Sequence, residues 1–165
     1  VTVRATLLPF PRLSATLWAL WLLLNETLEP GQVILGGVIA LVIPLLVRAV
    51  LPPIPVVRAP LKLVGYLLLV QYDILVANLR VARLVLGPVG RLRPAIVVVP
   101  LAVGDPVVAS ILAATVTLTP GTVSIDLDMA ARRLTVHVLD APDEASVVAE
   151  IKSRYEARLK EVFGC

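Results

Sequence analysis

The chain has 165 residues, of which 58% are hydrophobic and 16% charged, and its mean hydropathy of +0.93 sets it apart from soluble domains, whose apolar share is roughly 45–50%. Residues 1–94 hold nine Lys or Arg against three acids and residues 95–165 hold six against nine, so the positive charge belongs to the apolar half. The polar half has no basic stripe with interleaved aromatics, which excludes a nucleic-acid reader and favours anionic lipid headgroups as the partner of the charge.

The first apolar stretch, about residues 13–28, carries no charge between Arg12 and Glu26, and Trp18 and Trp21 suit a membrane interface. A signal peptide is the competing reading. Against it, no small-residue cleavage site follows Leu24 and a second apolar stretch starts at once. That second stretch, residues 33–51, reaches about 28 Å as a helix, close to the roughly 30 Å hydrocarbon core of a bilayer. Gly36, Gly37 and Pro44 within it favour close approach of a neighbouring helix or a kink. The turn between the two holds Glu26 and Glu29 and no Lys or Arg, whereas Arg4 and Arg12 precede the hairpin and Arg48, Arg58 and Lys62 follow it. The positive-inside bias places the acidic turn outside and both hairpin ends in the cytoplasm.

After a Leu51-Pro52-Pro53-Ile54-Pro55 elbow, residues 61–86 form a third apolar stretch. Lys62, Tyr66, Asp73 and Arg80 fall within about 40° of one another at about 100° per residue, a polar line along one face. Two arrangements satisfy it: an amphipathic helix at the cytoplasmic interface, or a membrane-embedded third span whose polar line faces other proteins. Asp73 is a functional-site candidate because it is ionisable within an apolar stretch. Its structural alternative is pairing with Arg80 two turns on, or with a partner's lysine.

Gly87 to Pro94 is a linker, so the chain divides by hydropathy into a membrane domain (1–86), the linker (87–94) and a polar domain (95–165). In the polar domain, the β-branched run Ala95–Leu101 predicts a strand and Asp105-Pro106 a helix N-terminus. The helix from Val107 to about Leu118 is too short to cross a bilayer. Thr119-Pro120-Gly121-Thr122 has the order of a type II turn. Val123, Ile125 and Leu127 alternate with Ser124, Asp126 and Asp128, and Leu134, Val136 and Val138 with Thr135 and His137, predicting a hairpin with its apolar residues inward. A last helix, from about Pro142 to Phe163, carries an apolar stripe and two pairs four apart, Glu150 with Arg154 and Glu156 with Lys160. The fold class that follows is a membrane protein: a transmembrane α-hairpin, a third amphipathic or embedded helix, and a small cytoplasmic α+β domain of order β-α-β-β-α.

His137 is the only histidine and Cys165 the only cysteine. They leave no metal-ligand set, disulfide framework or thiol motif, and no catalytic or cofactor-binding constellation can be assembled. Asp126 and Asp128 lack the further carboxylates and glycine of a calcium loop, and read as a solvated face.

The run Leu118-Thr119-Pro120-Gly121-Thr122-Val123-Ser124-Ile125-Asp126, followed by Leu134-Thr135-Val136-His137-Val138-Leu139-Asp140 and the closing charged helix, resembles the E subunit of the multisubunit Mrp-type cation/proton antiporters, also called Mnh or Pha. The resemblance implies a non-catalytic accessory subunit of a sodium or other monovalent cation/proton antiporter in the bacterial cell membrane. It is multi-pass, needs no cofactor, and has the other antiporter subunits and membrane lipids as partners. Thr119, Pro120, Gly121 and Thr122 match the family signature and are expected to shape a turn. Asp73, Arg80 and Lys62 are the candidates for an intramembrane charge or a subunit contact, and self-association through the cytoplasmic domain is left open. Two readings compete: a stand-alone membrane-surface adaptor binding anionic lipid and a soluble partner, and a channel-forming homo-oligomer with Asp73 in a ring.

Overall fold

The computed structural model describes residues 10–48, 55–87, 92–141 and 143–165, and the chain separates into two compact units, one up to Pro53 and one from Ile54. The first unit is a helical hairpin of α1 (Pro11–Asn25) and α2 (Pro30–Val47). Each helix opens on proline, whose fixed φ and missing N–H suit the first helical position. Both therefore begin two or three residues earlier than hydropathy suggests. α1 stops where Glu26 enters the left-handed region at φ 51.

Small residues shape the contact between α1 and α2. Gly36, Ala40 and Pro44, spaced one turn apart, are the buried residues of α2. A Cβ on Gly36 would lie 2.5 Å from Trp21 Cδ1, so the indole occupies the space that glycine leaves. Trp18 Nε1 donates to Val33 O at 3.1 Å and Trp21 Nε1 to Gln32 Oε1 at 3.3 Å. Each tryptophan thus spends its polar atom within the hairpin.

The second unit contains α3 (Pro60–Val85), β1 (Ala95–Pro100), α4 (Pro106–Leu118), β2 (Thr122–Asp128) and β3 (Arg133–Val138). A C-terminal helix follows in three consecutive segments: α5 (Glu144–Glu150), a π-helical stretch (Ile151–Glu156) and α6 (Ala157–Phe163). The strands form one antiparallel sheet in the order β1-β3-β2. Its inner face, with Val97, Val99, Leu134 and Val136, shares one core with Val108 and Leu112 of α4, Ile151 and Leu159 of the C-terminal helix, and Tyr66 and Val70 of α3. By packing, α3 thus joins the α+β fold, and the structural division falls before it, whereas division by hydropathy falls after it. Half of the 87–94 linker, residues 88–91, lies outside the described residues. Among the described residues, α2 and α3 are the helices long and apolar enough to cross a bilayer; α1, with 15 residues, is shorter.

Two irregularities change which side chains face inward. The register between β2 and β3 slips between Ser124 and Asp126, as a β-bulge does. The predicted inward set is therefore corrected: Val123 and Ile125 are exposed, and Ser124 turns in, its Oγ donating to Ala113 O at 2.8 Å. The π-helical stretch likewise alters the helix phase. The expected pairs Glu150–Arg154 and Glu156–Lys160 are not the ones formed. Instead Lys152 pairs with Glu156 at 3.0 Å and Arg154 with Asp73.

Candidate functional site

Within the second unit, α3, the α4–β2 turn and the C-terminal helix enclose a cleft with two adjoining hollows of about 120 and 270 Å³. Both are lined by Ala77 and Arg80 of α3, Thr119 of the turn, and Glu150 and Tyr155 of the C-terminal helix. The smaller is floored by Pro120 and Gly121 and walled by apolar side chains such as Val81 and Ile151. The larger has Asp73 and Arg154 on its wall.

The turn is built by its own sequence. Gly121 has φ +93, the conformation a type II turn demands at its third residue, and Thr122 N–H donates to Thr119 O at 3.2 Å. The last carbonyls of α4 have no helical partner, and the turn's hydroxyls supply one. Thr119 Oγ1 donates to Thr115 O at 3.2 Å and Thr122 Oγ1 to Val116 O at 2.5 Å. Leu139 N–H donates to Gly121 O at 2.8 Å, fastening the turn to the end of β3. Both threonine hydroxyls are thus spent as donors inside the fold.

Asp73 is buried, and its partner is Arg154 rather than Arg80. Arg154 Nε donates to Asp73 Oδ2 at 2.7 Å and Nη2 donates to Oδ1, while Tyr155 Oη donates to Oδ2 at 3.0 Å. The arginine is held above the usual guanidinium range by its hydrogen bond to Asp73. Burial pushes the Tyr155 phenol up to about 12, so both donors keep their protons at any physiological pH. Arg80 differs in phase by only about 20° from Asp73 on an ideal helix but is exposed and lines the cleft. Lys62 Nζ pairs with Glu161 Oε2 at 3.0 Å on the surface, and Tyr66 Oη shares a 2.6 Å hydrogen bond with Thr115 Oγ1. The polar line read along α3 is therefore the line by which it docks on α4 and the C-terminal helix.

The remaining candidates lie apart from this cleft. Glu26 and Glu29 are exposed on the α1–α2 turn, where Glu29 N–H donates to Thr27 Oγ1 at 3.3 Å. Asp128 accepts from Ala131 N–H at 2.8 Å, the main reason its carboxyl sits below the usual range, and Arg133 lies 3.4 Å away. No group of three His, Cys, Asp or Glu is placed to hold a metal ion among the described residues. His137 is half-buried on β3, opposite Ile96 on β1 and Val123 on β2.

Sequence reasoning missed Glu156. It is 2% exposed, and its Oε1 accepts from Ala102 N–H at 2.6 Å and Val103 N–H at 3.1 Å while Lys152 holds Oε2. Its place in a run of alternating charges hid it. Only an account of where the β1–α4 segment sends its backbone N–H groups could have found it.

The model of the MNHE family, described as Na+/H+ ion antiporter subunit, matches residues 14–162. The chain belongs to this antiporter-subunit family. A probable K+/H+ antiporter E subunit of Rhizobium meliloti (strain 1021) is 31% identical over 96% of this chain and 98% of its own length. A Na+/H+ antiporter E subunit of Alkalihalophilus pseudofirmus (strain ATCC BAA-2126 / JCM 17055 / OF4) is 31% identical over 54% of this chain and 57% of its own. Among solved structures, a chain of the membrane-bound sulfane sulfur reductase, an archaeal respiratory membrane complex, has a TM-score of 0.68 at 25% identity and is matched over 92% of this chain and 96% of that one. The family match covers both the hairpin and the α+β unit. The expected kinship with the E subunit of the Mrp-type antiporters therefore holds along nearly the whole chain.

Proposed function

We propose that this family member is a non-catalytic accessory subunit of a monovalent cation/proton antiporter complex. Its α1–α2 hairpin lies in the cell membrane with the Glu26–Glu29 turn outside, its α+β unit lies in the cytoplasm, and the other antiporter subunits are its partners. The observation that carries the accessory role is the fate of Asp73. The sole acid of α3 accepts three hydrogen bonds from Arg154 and Tyr155 of its own chain, which favours a structural tie over an ion-carrying charge. The spent hydroxyls of Thr119 and Thr122 support the same reading for the signature turn.

The test is purification of a tagged copy at native expression in mild detergent, with mass spectrometry of what co-elutes. Several polytopic proteins in fixed ratio are expected. A lone, uniform 17.6 kDa species would overturn the subunit reading.

A further inference from the structure

Among the described residues of the second unit, the packing of α3 leaves one of its faces without a protein partner. Tyr66, Val70, Asp73 and Ala77 are its buried residues. On the opposite side Leu61, Leu68, Leu75, Leu79 and Leu86 recur four or seven apart and are 58–89% exposed, an apolar stripe bordered on one side by the exposed, uncharged Gln71 and Asn78. α3's only acid, Asp73, points away from that stripe. Two of its three cations, Arg80 and Arg83, are exposed and make no ion pair among the described residues.

Crossing a bilayer is incompatible with this docking. The middle of α3 is tied by Asp73–Arg154 and Tyr66–Thr115 to elements whose surface carries Glu150, Arg158 and Glu161, all exposed. A spanning α3 would draw those charges into hydrocarbon, which transmembrane segments avoid. An apolar stripe free of acids, with Arg83 at its border and Arg80 about 60° further round the helix toward the cleft, is the pattern of a helix lying in the interface plane, its leucines in the acyl boundary and its cations reaching for anionic headgroups.

We infer that the outer face of α3 is a membrane-binding surface that lies flat on an anionic phospholipid bilayer and carries the α+β unit on its other side. The inference rests on the membrane-subunit reading only for the presence of a bilayer beside this unit; the identity of the antiporter partners does not enter.

The test uses the tagged full chain, with whatever neighbours it retains, in nanodiscs of phosphatidylcholine with or without phosphatidylglycerol. In a Cys165→Ser background, nitroxides are placed singly through Leu61→Cys, Leu68→Cys, Leu75→Cys and Leu79→Cys, and collision with oxygen and with a water-soluble nickel chelate gives their depth. The expected result is one shallow depth for all four labels. Addition of phosphatidylglycerol deepens them, and Arg80→Glu with Arg83→Glu abolishes that deepening. Depth graded along the helix would mean a crossing, free access to nickel a solvated face, and protection from both reagents a protein cover; each overturns the proposal. Because co-eluting subunits are identified separately, the surface can stand if the antiporter reading fails, and the reverse.

Discussion

Asp73 and Arg154 stand 81 positions apart in the chain and meet in a two-point ion pair, with Tyr155 closing on the same carboxylate. Asp73 is 8% exposed, so removing one partner strands a charge at low solvation. A fully buried pair broken this way costs about 3–5 kcal/mol. The Arg154 side chain remains 35% exposed, and solvent screening reduces the figure to about 1–3 kcal/mol. Asp73→Asn is expected to lower the thermal stability of the assembled protein and the yield of complex, while cation transport per assembled complex is retained. Arg154→Met combined with Asp73→Asn is expected to recover part of the loss in a double-mutant cycle. Intact assembly with transport abolished would instead make Asp73 a participant in ion movement.

How much of this pair was legible in the sequence follows from what periodicity reports. Spacing along α3 identified the face that holds Lys62, Tyr66 and Asp73, because helical phase is local. It offers Arg80 or a partner's lysine as the pair for Asp73, because the true partner, Arg154, is supplied by a distant helix. The Asp105-Pro106 helix start and the Thr119–Thr122 turn were legible for the same local reason. Asp105 Oδ1 accepts from Val107 N–H at 2.8 Å, and the positive φ of Gly121 falls where the turn type requires it. Two insertions into regular patterns, the bulge after Ser124 and the π-helical stretch, lack a compositional mark, and each shifted the assigned faces. That is why Val123 and Ile125 were expected inside and Glu156 outside.

At Gly121 two constraints coincide. Its φ of +93 is costly for any residue with a side chain, and an added Cβ would also lie 3.2 Å from Val81 Cγ2 of α3. Gly121→Ala is expected to cost about 1–3 kcal/mol, read as a lower midpoint of thermal unfolding. Pro120→Ala keeps a permitted conformation and loses only the stiffness of the ring, about 1 kcal/mol or less. Equal effects from the two substitutions would show that the backbone conformation of the turn is not what the sequence is protecting.

The hairpin depends on the absence of a side chain at Gly36. Gly36→Leu would place its side chain against the Trp21 ring, and overpacking of this kind costs about 1–3 kcal/mol. Gly37, whose nearest neighbour would be 4.0 Å from an added Cβ, should accept alanine with little effect. Disulfide formation between cysteines introduced on α1 and α2 is the measurement: it is expected to slow in Gly36→Leu and to stay unchanged in Gly37→Ala.

Glu156 holds the segment between β1 and α4 from the C-terminal helix. Replacing it by alanine leaves the Ala102 and Val103 N–H groups, 2.6 and 3.1 Å from its Oε1, without an acceptor, and also removes the partner of Lys152. An unsatisfied buried donor costs about 1–3 kcal/mol. Val103 is fully buried while Ala102 is exposed, so water can replace the acceptor at Ala102 but not at Val103. Hydrogen exchange should therefore accelerate at both amides in Glu156→Ala, and the stability loss should track Val103. Glu156→Gln keeps a carbonyl acceptor in place and should restore most of the protection at Val103. If Glu156→Gln were as damaging as Glu156→Ala, the negative charge beside Lys152, rather than the hydrogen bonds to the backbone, would be what fastens the π-helical stretch to the sheet.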